Sequence, residues 1–167
     1  SDKRQDLLLK IWREVSEKHP DWKLKIVGTG ELKNELIQTI KNFNLVNSVK
    51  VIEPIKDVES LFLNSSIFTF TSRYEGFGMV LAEAMACGVP CISFDIPSGP
   101  RDIIENNIDG FLIEDNNIRQ YINKLDLLMS DTNKRLYMGK MARENVKIFL
   151  DYKIEKKWNS LLKLGVA

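Results

Sequence analysis

The sequence predicts a doubly wound α/β domain, a parallel sheet with helices on both faces. Three observations carry this expectation. Short apolar, β-branched runs alternate with segments of helical period along nearly the whole chain. The strand runs are continuously apolar instead of alternating with polar residues, the pattern of strands covered on both sides. Every connection is short, with no internal repeat, low-complexity stretch or linker.

Residues 5 to 18 set Leu8, Leu9, Ile11, Trp12 and Val15 at helical spacing, and Pro20 with Asp21 closes that segment. LKIVG at 24 to 28 is a strand followed by Thr29-Gly30, after which Leu32, Leu36, Ile37 and Ile40 resume helical period up to residue 43. A brief strand at 49 to 52 and a helix near 57 to 63 come next. SIFTFTS at 66 to 72 is a strand leading through a polar, glycine-containing loop into a helix at 79 to 87. The pattern continues with a strand at 89 to 94, a short helix at 100 to 105 and a strand at 110 to 114. Helices near 116 to 129, 131 to 149 and 152 to 163 finish the chain.

At 167 residues, 44% hydrophobic and 28% charged, the chain suits one globular domain. A net charge of +1 argues against a dedicated nucleic-acid binder. The charge is uneven: residues 134 to 163 hold nine Lys or Arg and three Asp or Glu, a net +6, which leaves −5 for the rest. Such an excess is a solvated helix face or, in a sharper reading, a contact for a membrane surface or anionic partner. Cys87 and Cys91 with the one histidine, His19, cannot supply a zinc site, and the expectation is two buried free thiols in a reducing compartment and no metal. No apolar run reaches spanning length and no signal-peptide core is present, so a cytoplasmic protein is expected. The chain runs into its first helix with no strand before it, as a fragment of something longer would.

In an open parallel sheet, ligands bind beyond the carboxyl ends of the strands. Three loops lie there. In GTGEL, Gly28 and Gly30 permit a tight turn that could cradle an anion, although such turns also occur without a ligand. In SRYEGFGMVLAE, a helix beginning near Met79 follows Gly76, Phe77 and Gly78 in place of a Ser, Thr, Asp or Asn cap. Water takes its first N–H groups, or the positive helix end is kept for a phosphate or sugar hydroxyl. Glu83 sits one turn further among Val80, Leu81, Ala82 and Ala84, where a carboxylate needs a partner unless it lies on the wet stripe of the helix. Glu75 can turn into the same cleft. In IPSGPRDII, Ser98 is a plausible N-cap beside the second loop if strands 67 to 71 and 90 to 94 are neighbours.

These residues resemble glycosyltransferase family 4, retaining transferases of the GT-B fold. Glu75 and Glu83 match the family's Glu, seven residues, Glu motif inside SRYEGFGMVLAEAMACGVPCISFD, and VGTGEL, SGPRDII and NNIDGFLIED are similar to neighbouring family segments over roughly residues 3 to 149. The resemblance implies a C-terminal donor-binding domain over residues 1 to 167, with an N-terminal acceptor domain absent. It assigns Glu83 to the donor ribose, Glu75 to the transferred sugar, and backbone amides of Phe77, Gly78 and Met79 to sugar hydroxyls and diphosphate. Gly28, Gly30, Gly76 and Val80 complete the donor side. Lys3 is what remains of the Arg and Lys that neutralise the diphosphate. The implied substrate is a UDP- or GDP-linked hexose, transferred without cofactor or metal to a glycan or lipid-linked acceptor. The full-length protein would touch the membrane peripherally, and the isolated domain would bind nucleotide weakly without transferring sugar. The rival readings are a GT-B UDP-sugar epimerase and a non-catalytic nucleotide-binding α/β module.

Overall fold

A computed structural model describes residues 2–149. Five parallel strands alternate with helices: α1 (Gln5–Lys18), β1 (Leu24–Val27), α2 (Lys33–Asn42), β2 (Val49–Ile52), α3 (Val58–Leu63), β3 (Phe68–Phe70), α4 (Met79–Ala86), β4 (Cys91–Asp95), α5 (Pro100–Ile103), β5 (Gly110–Glu114), α6 (Ile118–Ser130) and α7 (Thr132–Asn145). The expected helix at 152 to 163 lies outside the described residues. The single helix expected over 131 to 149 ends at Asn145, and Val146–Phe149 wind as a 3-10 turn that brings the Phe149 ring edge-on to Phe77, 5.5 Å between centroids.

The doubly wound plan holds, with one difference. The strands form two parallel pieces, β1-β2 and β3-β4-β5, instead of one continuous sheet. The pieces share a core, since Leu24 and Val49 of the first cluster with Ile92, Phe94, Phe111 and Ile113 of the second beneath Trp12, Tyr121 and Leu125. As expected, the strands within 67 to 71 and 90 to 94 are neighbours, paired from Phe68↔Cys91 to Phe70↔Ser93. The first four residues of β4 are buried, which accounts for its uninterrupted apolar character. The Tyr121 hydroxyl fastens the β3-β4 seam from above, accepting from the Phe70 N–H at 3.2 Å and donating to the Ile92 carbonyl at 2.9 Å.

Local chemistry fixes the helix ends. Asp57, Asn117 and Asp131 cap α3, α6 and α7 by accepting from the backbone three residues on. At the far end of α4, Gly88 takes a left-handed conformation (φ 76°). Its N–H bonds the Met85 carbonyl while the Val89 N–H bonds that of Ala84, which closes the helix and turns the chain into β4. β4 therefore starts at Cys91, two residues later than its apolar run suggests, after Pro90 has left a position where it has no N–H to donate.

Candidate functional site

The carboxyl ends of β1, β3 and β4 bring the three expected loops to one side of the domain. The start of α1 joins them there. Arg4, its N-cap, adopts a left-handed conformation (φ 48°) that points consecutive side chains in opposite directions. Lys3 reaches out and forms an ion pair with Glu75. Arg4 turns inward: its guanidinium donates to the Thr71 carbonyl (2.8 Å), Asn116 Oδ1 (3.0 Å) and Asp115 Oδ1 (2.8 Å), and lies 4.8 Å over the Phe94 ring. A buried guanidinium is costly to desolvate, and here three acceptors and a ring face offset that cost. The same junction is tied again by Thr71 Oγ1 donating to the Lys3 carbonyl (2.9 Å) and by the Arg73 N–H donating to that of Asp2 (2.7 Å).

Glu75 is held from its other side by the loop after β4. Ser98 Oγ donates to the Glu75 carbonyl at 2.5 Å. Gly99 takes φ 91°, and a Cβ there would stand 2.8 Å from the Phe77 carbonyl oxygen, so only glycine lets the two loops lie this close. Ser98 thus clamps the neighbouring loop and does not cap α5. Asp102 does that instead, its Oδ2 accepting from the Gly99 N–H at 3.1 Å.

α4 begins as its sequence suggests. Gly78, in a left-handed conformation (φ 82°), is its N-cap, and no side chain accepts from the first turn. The N–H groups of that turn, followed by exposed Met79, are open to a ligand's oxygens. A Cβ added to Gly28, Gly30 or Gly76 would meet nothing within 4 Å. Packing therefore does not demand glycine at these three positions, although the backbone of Gly28 (φ 145°) does, and each leaves backbone open to close approach.

Of the two readings left open for Glu83, the structure shows the one that sets it on the wet stripe of the helix. Leu81, Ala82, Ala84 and Met85 are buried while Glu83 is exposed, because α4 turns this position off the core. Among the described residues it makes no ion pair. It lines a broad groove of about 1410 Å³ together with Lys3, Gly28, Gly30 and Val80. Glu75 meets that set through its pair with Lys3, whereas Gly76, Phe77, Gly78 and Met79 do not line the groove. On the opposite wall Lys33 pairs with Glu53 beyond the ends of β1 and β2.

Two expectations about the thiols and the histidine are refined. Cys91 is buried, and burial pushes its thiol well up, but Cys87 is only half-buried; both are free. His19 faces Asp126 at 2.7 Å, and that hydrogen bond holds the Asp126 carboxyl below its ordinary value. Among the described residues no three His, Cys, Asp or Glu gather as metal ligands, and no helix is long and apolar enough to cross a membrane.

A parallel α/β domain with glycine-containing loops beyond the carboxyl ends of its strands is a doubly wound architecture, in which ligands bind at those ends. The sequence profile of the family Glycosyl transferases group 1 matches residues 1–145, and the chain belongs to that family. An uncharacterized glycosyltransferase of Haemophilus influenzae is 38% identical over 94% of this chain, which spans 44% of that protein. A poly(ribitol-phosphate) alpha-N-acetylglucosaminyltransferase of Staphylococcus aureus is 32% identical over 95% of the chain, which spans 32% of it. Among solved structures, a variant of S. aureus TarM in complex with fondaparinux, alpha-GlcNAc-glycerol and UDP superposes with a TM-score of 0.91 at 32% identity, over 100% of this chain and 34% of that one. The C-terminal domain of a glycosyl transferase group 1 family protein from Francisella tularensis superposes at 0.79 with 27% identity, over 92% of this chain and 81% of that one. The chain spans less than half the length of these curated relatives.

Arg4 is the residue that sequence reasoning missed. An arginine at the mouth of a helix looks like a solvated charge, and the partners that bury it, Asp115 and Asn116, lie more than a hundred residues away.

Proposed function

We propose that the chain is the donor-binding half of a retaining glycosyltransferase, which transfers a hexose from a UDP- or GDP-sugar to a glycan or lipid-linked acceptor when joined to an N-terminal domain. The observation that carries this reading is the convergence of Lys3, paired with Glu75, on the groove that Gly28, Gly30 and Glu83 line, below a helix whose first turn has no side-chain cap. The UDP in the TarM complex supports the nucleotide.

In this reading the diphosphate takes the open amides at Phe77, Gly78 and Met79 and draws Lys3 away from Glu75. Glu83 holds the ribose hydroxyls. The freed Glu75 faces the transferred sugar, where its charge stabilises the positive character developing at the anomeric carbon. The bond from that carbon to the diphosphate oxygen breaks on the face where the acceptor oxygen bonds, and the acceptor proton passes to the leaving diphosphate. Anomeric configuration is retained. Lys3 and the α4 amides carry the leaving charge without a metal ion. The reaction belongs on the cytoplasmic side, with peripheral membrane contact for a lipid-linked acceptor.

The test is a thermal-shift titration with UDP and GDP. One of them raises the melting temperature of the chain, and Glu83→Ala removes the shift. A non-catalytic module would bind nucleotide yet give no product at the next step, when the full-length protein is assayed by NMR at the anomeric centre of the product. Inverted product, or a free epimerised nucleotide-sugar, overturns the proposal.

A further inference from the structure

We propose that the outward face of α7 and of the 3-10 turn after it is a docking surface for a membrane that carries anionic lipids. The proposal gives the peripheral membrane contact of the transferase a location on this chain, and in that respect it rests on the donor-binding reading.

The helix has two faces of opposite chemistry. Met138, Gly139, Ala142 and Val146 are buried against the domain. A Cβ added to Gly139 would stand 2.2 Å from the Gly88 carbonyl oxygen, so α7 lies backbone to backbone on the turn after α4 and cannot roll. Outward, Leu136, Lys140, Arg143 and Lys147 follow one another at helical spacing as a single stripe, with Tyr137 and Ile148 beside it. All six are exposed, Leu136 to 66% and Ile148 to 59%.

The charge on this face is not consumed by the fold. Two cations of the segment are: Lys134 lies 5.9 Å over the Phe111 ring, and Arg135 lies 5.1 Å over that of Trp22 and donates to the Leu128 carbonyl at 2.6 Å. Lys140, Arg143 and Lys147 have one carboxylate among them. Glu144 hydrogen-bonds Lys147, and that bond, with the charges of Lys147, Lys140 and Arg143, holds its carboxyl below the ordinary value. Among the described residues Lys140 and Arg143 make no ion pair. The three cations border a depression of about 560 Å³ beside Gly88, where a lipid phosphate can meet charged donors. The sequence after Phe149 adds four lysines against Asp151 and Glu155.

Cations alone suit a solvated face or any polyanion in solution. The apolar side chains decide between these and a bilayer. Leu136, Tyr137 and Ile148 interleave with the cations and gain nothing from a soluble polyanion. At a bilayer surface their tips enter the headgroup region while the lysine stems extend toward the phosphates. The position of the face agrees. At the end of the 3-10 turn the Phe149 ring meets that of Phe77, so the docked face runs up to the loop that carries Glu75. A lipid-linked acceptor in the same membrane would stand at that edge of the site.

The test is sedimentation of this chain with phosphatidylcholine vesicles, with and without about a third phosphatidylglycerol. The chain pellets with the anionic vesicles and not with the neutral ones, and its partition coefficient falls as salt is raised. Lys140→Gln, Arg143→Gln and Lys147→Gln together lower it by on the order of a hundredfold. The same change at Lys10, Lys41 and Lys50, exposed on α1, α2 and β2, lowers it far less. Leu136→Ser with Ile148→Ser lowers it roughly tenfold and leaves the salt dependence unchanged. Because the substituted positions are exposed, every variant keeps the melting temperature of the chain and whatever shift UDP gives it, so this surface and the donor reading stand or fall separately. Failure to pellet with anionic vesicles, or equal loss in the two triple variants, overturns the proposal. So does binding that inorganic phosphate abolishes at an ionic strength where chloride does not, which marks a free-anion site. Binding unchanged by the Leu136 and Ile148 substitutions marks a surface for soluble polyanions and overturns it as well.

Discussion

In the absence of ligand, the cation best placed to meet a diphosphate is engaged by Glu75. Nucleotide must compete with that carboxylate, so Glu75→Gln should tighten UDP binding even as it removes a group assigned to catalysis. The Lys3 side chain is 57% exposed and that of Glu75 16%, so the pair is partly screened and contributes about 0.2–1 kcal/mol. Releasing Lys3 therefore strengthens UDP binding by up to roughly fivefold. The loop itself should not move, because its clamp is the Ser98 bond to the Glu75 backbone carbonyl and not to the side chain. Lys3→Met, which removes a charged donor, should weaken UDP by about 1.5–3 kcal/mol. Isothermal titration at low salt on the two single variants and the double variant closes a cycle. The expected result is that Glu75→Gln tightens binding only when Lys3 is present. Equal tightening in the Lys3→Met background would show that Glu75 repels the ligand directly and that the pair is no gate. In the full-length protein the same Glu75→Gln change should lower transfer while raising UDP affinity, a split that loss of folding cannot produce.

Arg4→Gly keeps the left-handed backbone but abandons one buried and two part-buried hydrogen bonds, and should cost about 2–3 kcal/mol, a fall of roughly 4–12 °C in melting temperature for a domain of this size; a shift below about 1 °C would deny it the role of a clamp. Gly30→Ala and Gly99→Ala should separate ligand space from packing space. The first adds a methyl to open space and should change stability by less than about 0.5 kcal/mol while weakening UDP; the second meets the Phe77 carbonyl at a positive φ and should cost about 1–2 kcal/mol or more, both read by denaturant titration. Burial raises the Asp109 carboxyl above its ordinary 3.8, so the folded state holds that proton more tightly than the unfolded chain. The resulting stability is fully present below pH 3.8, is lost as pH rises through the raised value, and should disappear from the pH dependence of melting in Asp109→Asn.

The strands and most helices were legible because their signal is local. Continuous apolar runs mark strands covered on both faces, and the spacing of Leu8, Leu9, Ile11, Trp12 and Val15 marks the buried stripe of α1. The uncapped start of α4 was equally legible, since a cap is a residue choice at one position and Gly78 is the absence of one. What the sequence could not supply was pairing. Whether β1 and β3 touch depends on what lies between them, which no property of LKIVG or SIFTFTS encodes. Glu83 shows the same limit at smaller scale. Its neighbours in sequence are buried, and only the placement of α4 over the core decides that this one position faces out. The 3-10 winding after Asn145 accompanies a ring contact between Phe77 and Phe149, partners 72 residues apart that a helical period cannot register.

The arrangement around Lys3 and Glu75 explains how a site can be both exposed and well placed. Each partner is gripped through its backbone. Lys3 is held by Thr71 through its carbonyl and by the adjacent Arg4, whose side chain is fixed at three acceptors. Glu75 is held by Ser98 and by the close approach of Gly99 to the Phe77 carbonyl. Only the two side-chain tips remain free to exchange partners. Most of the ordering entropy has therefore been met by the fold before a ligand arrives, which is the condition under which short-range electrostatic contacts translate into affinity and orientation. The clamps also have a direction. They join the start of α1 to the end of β3 and the end of β3 to the turn after β4, and none of these bonds reaches the β1 side of the groove. The glycine loop after β1 is therefore positioned against Glu75 through the shared core alone. Loosening that core should thus matter less to the Lys3–Glu75 pair itself than to the distance a nucleotide must span between it and Gly28 and Gly30.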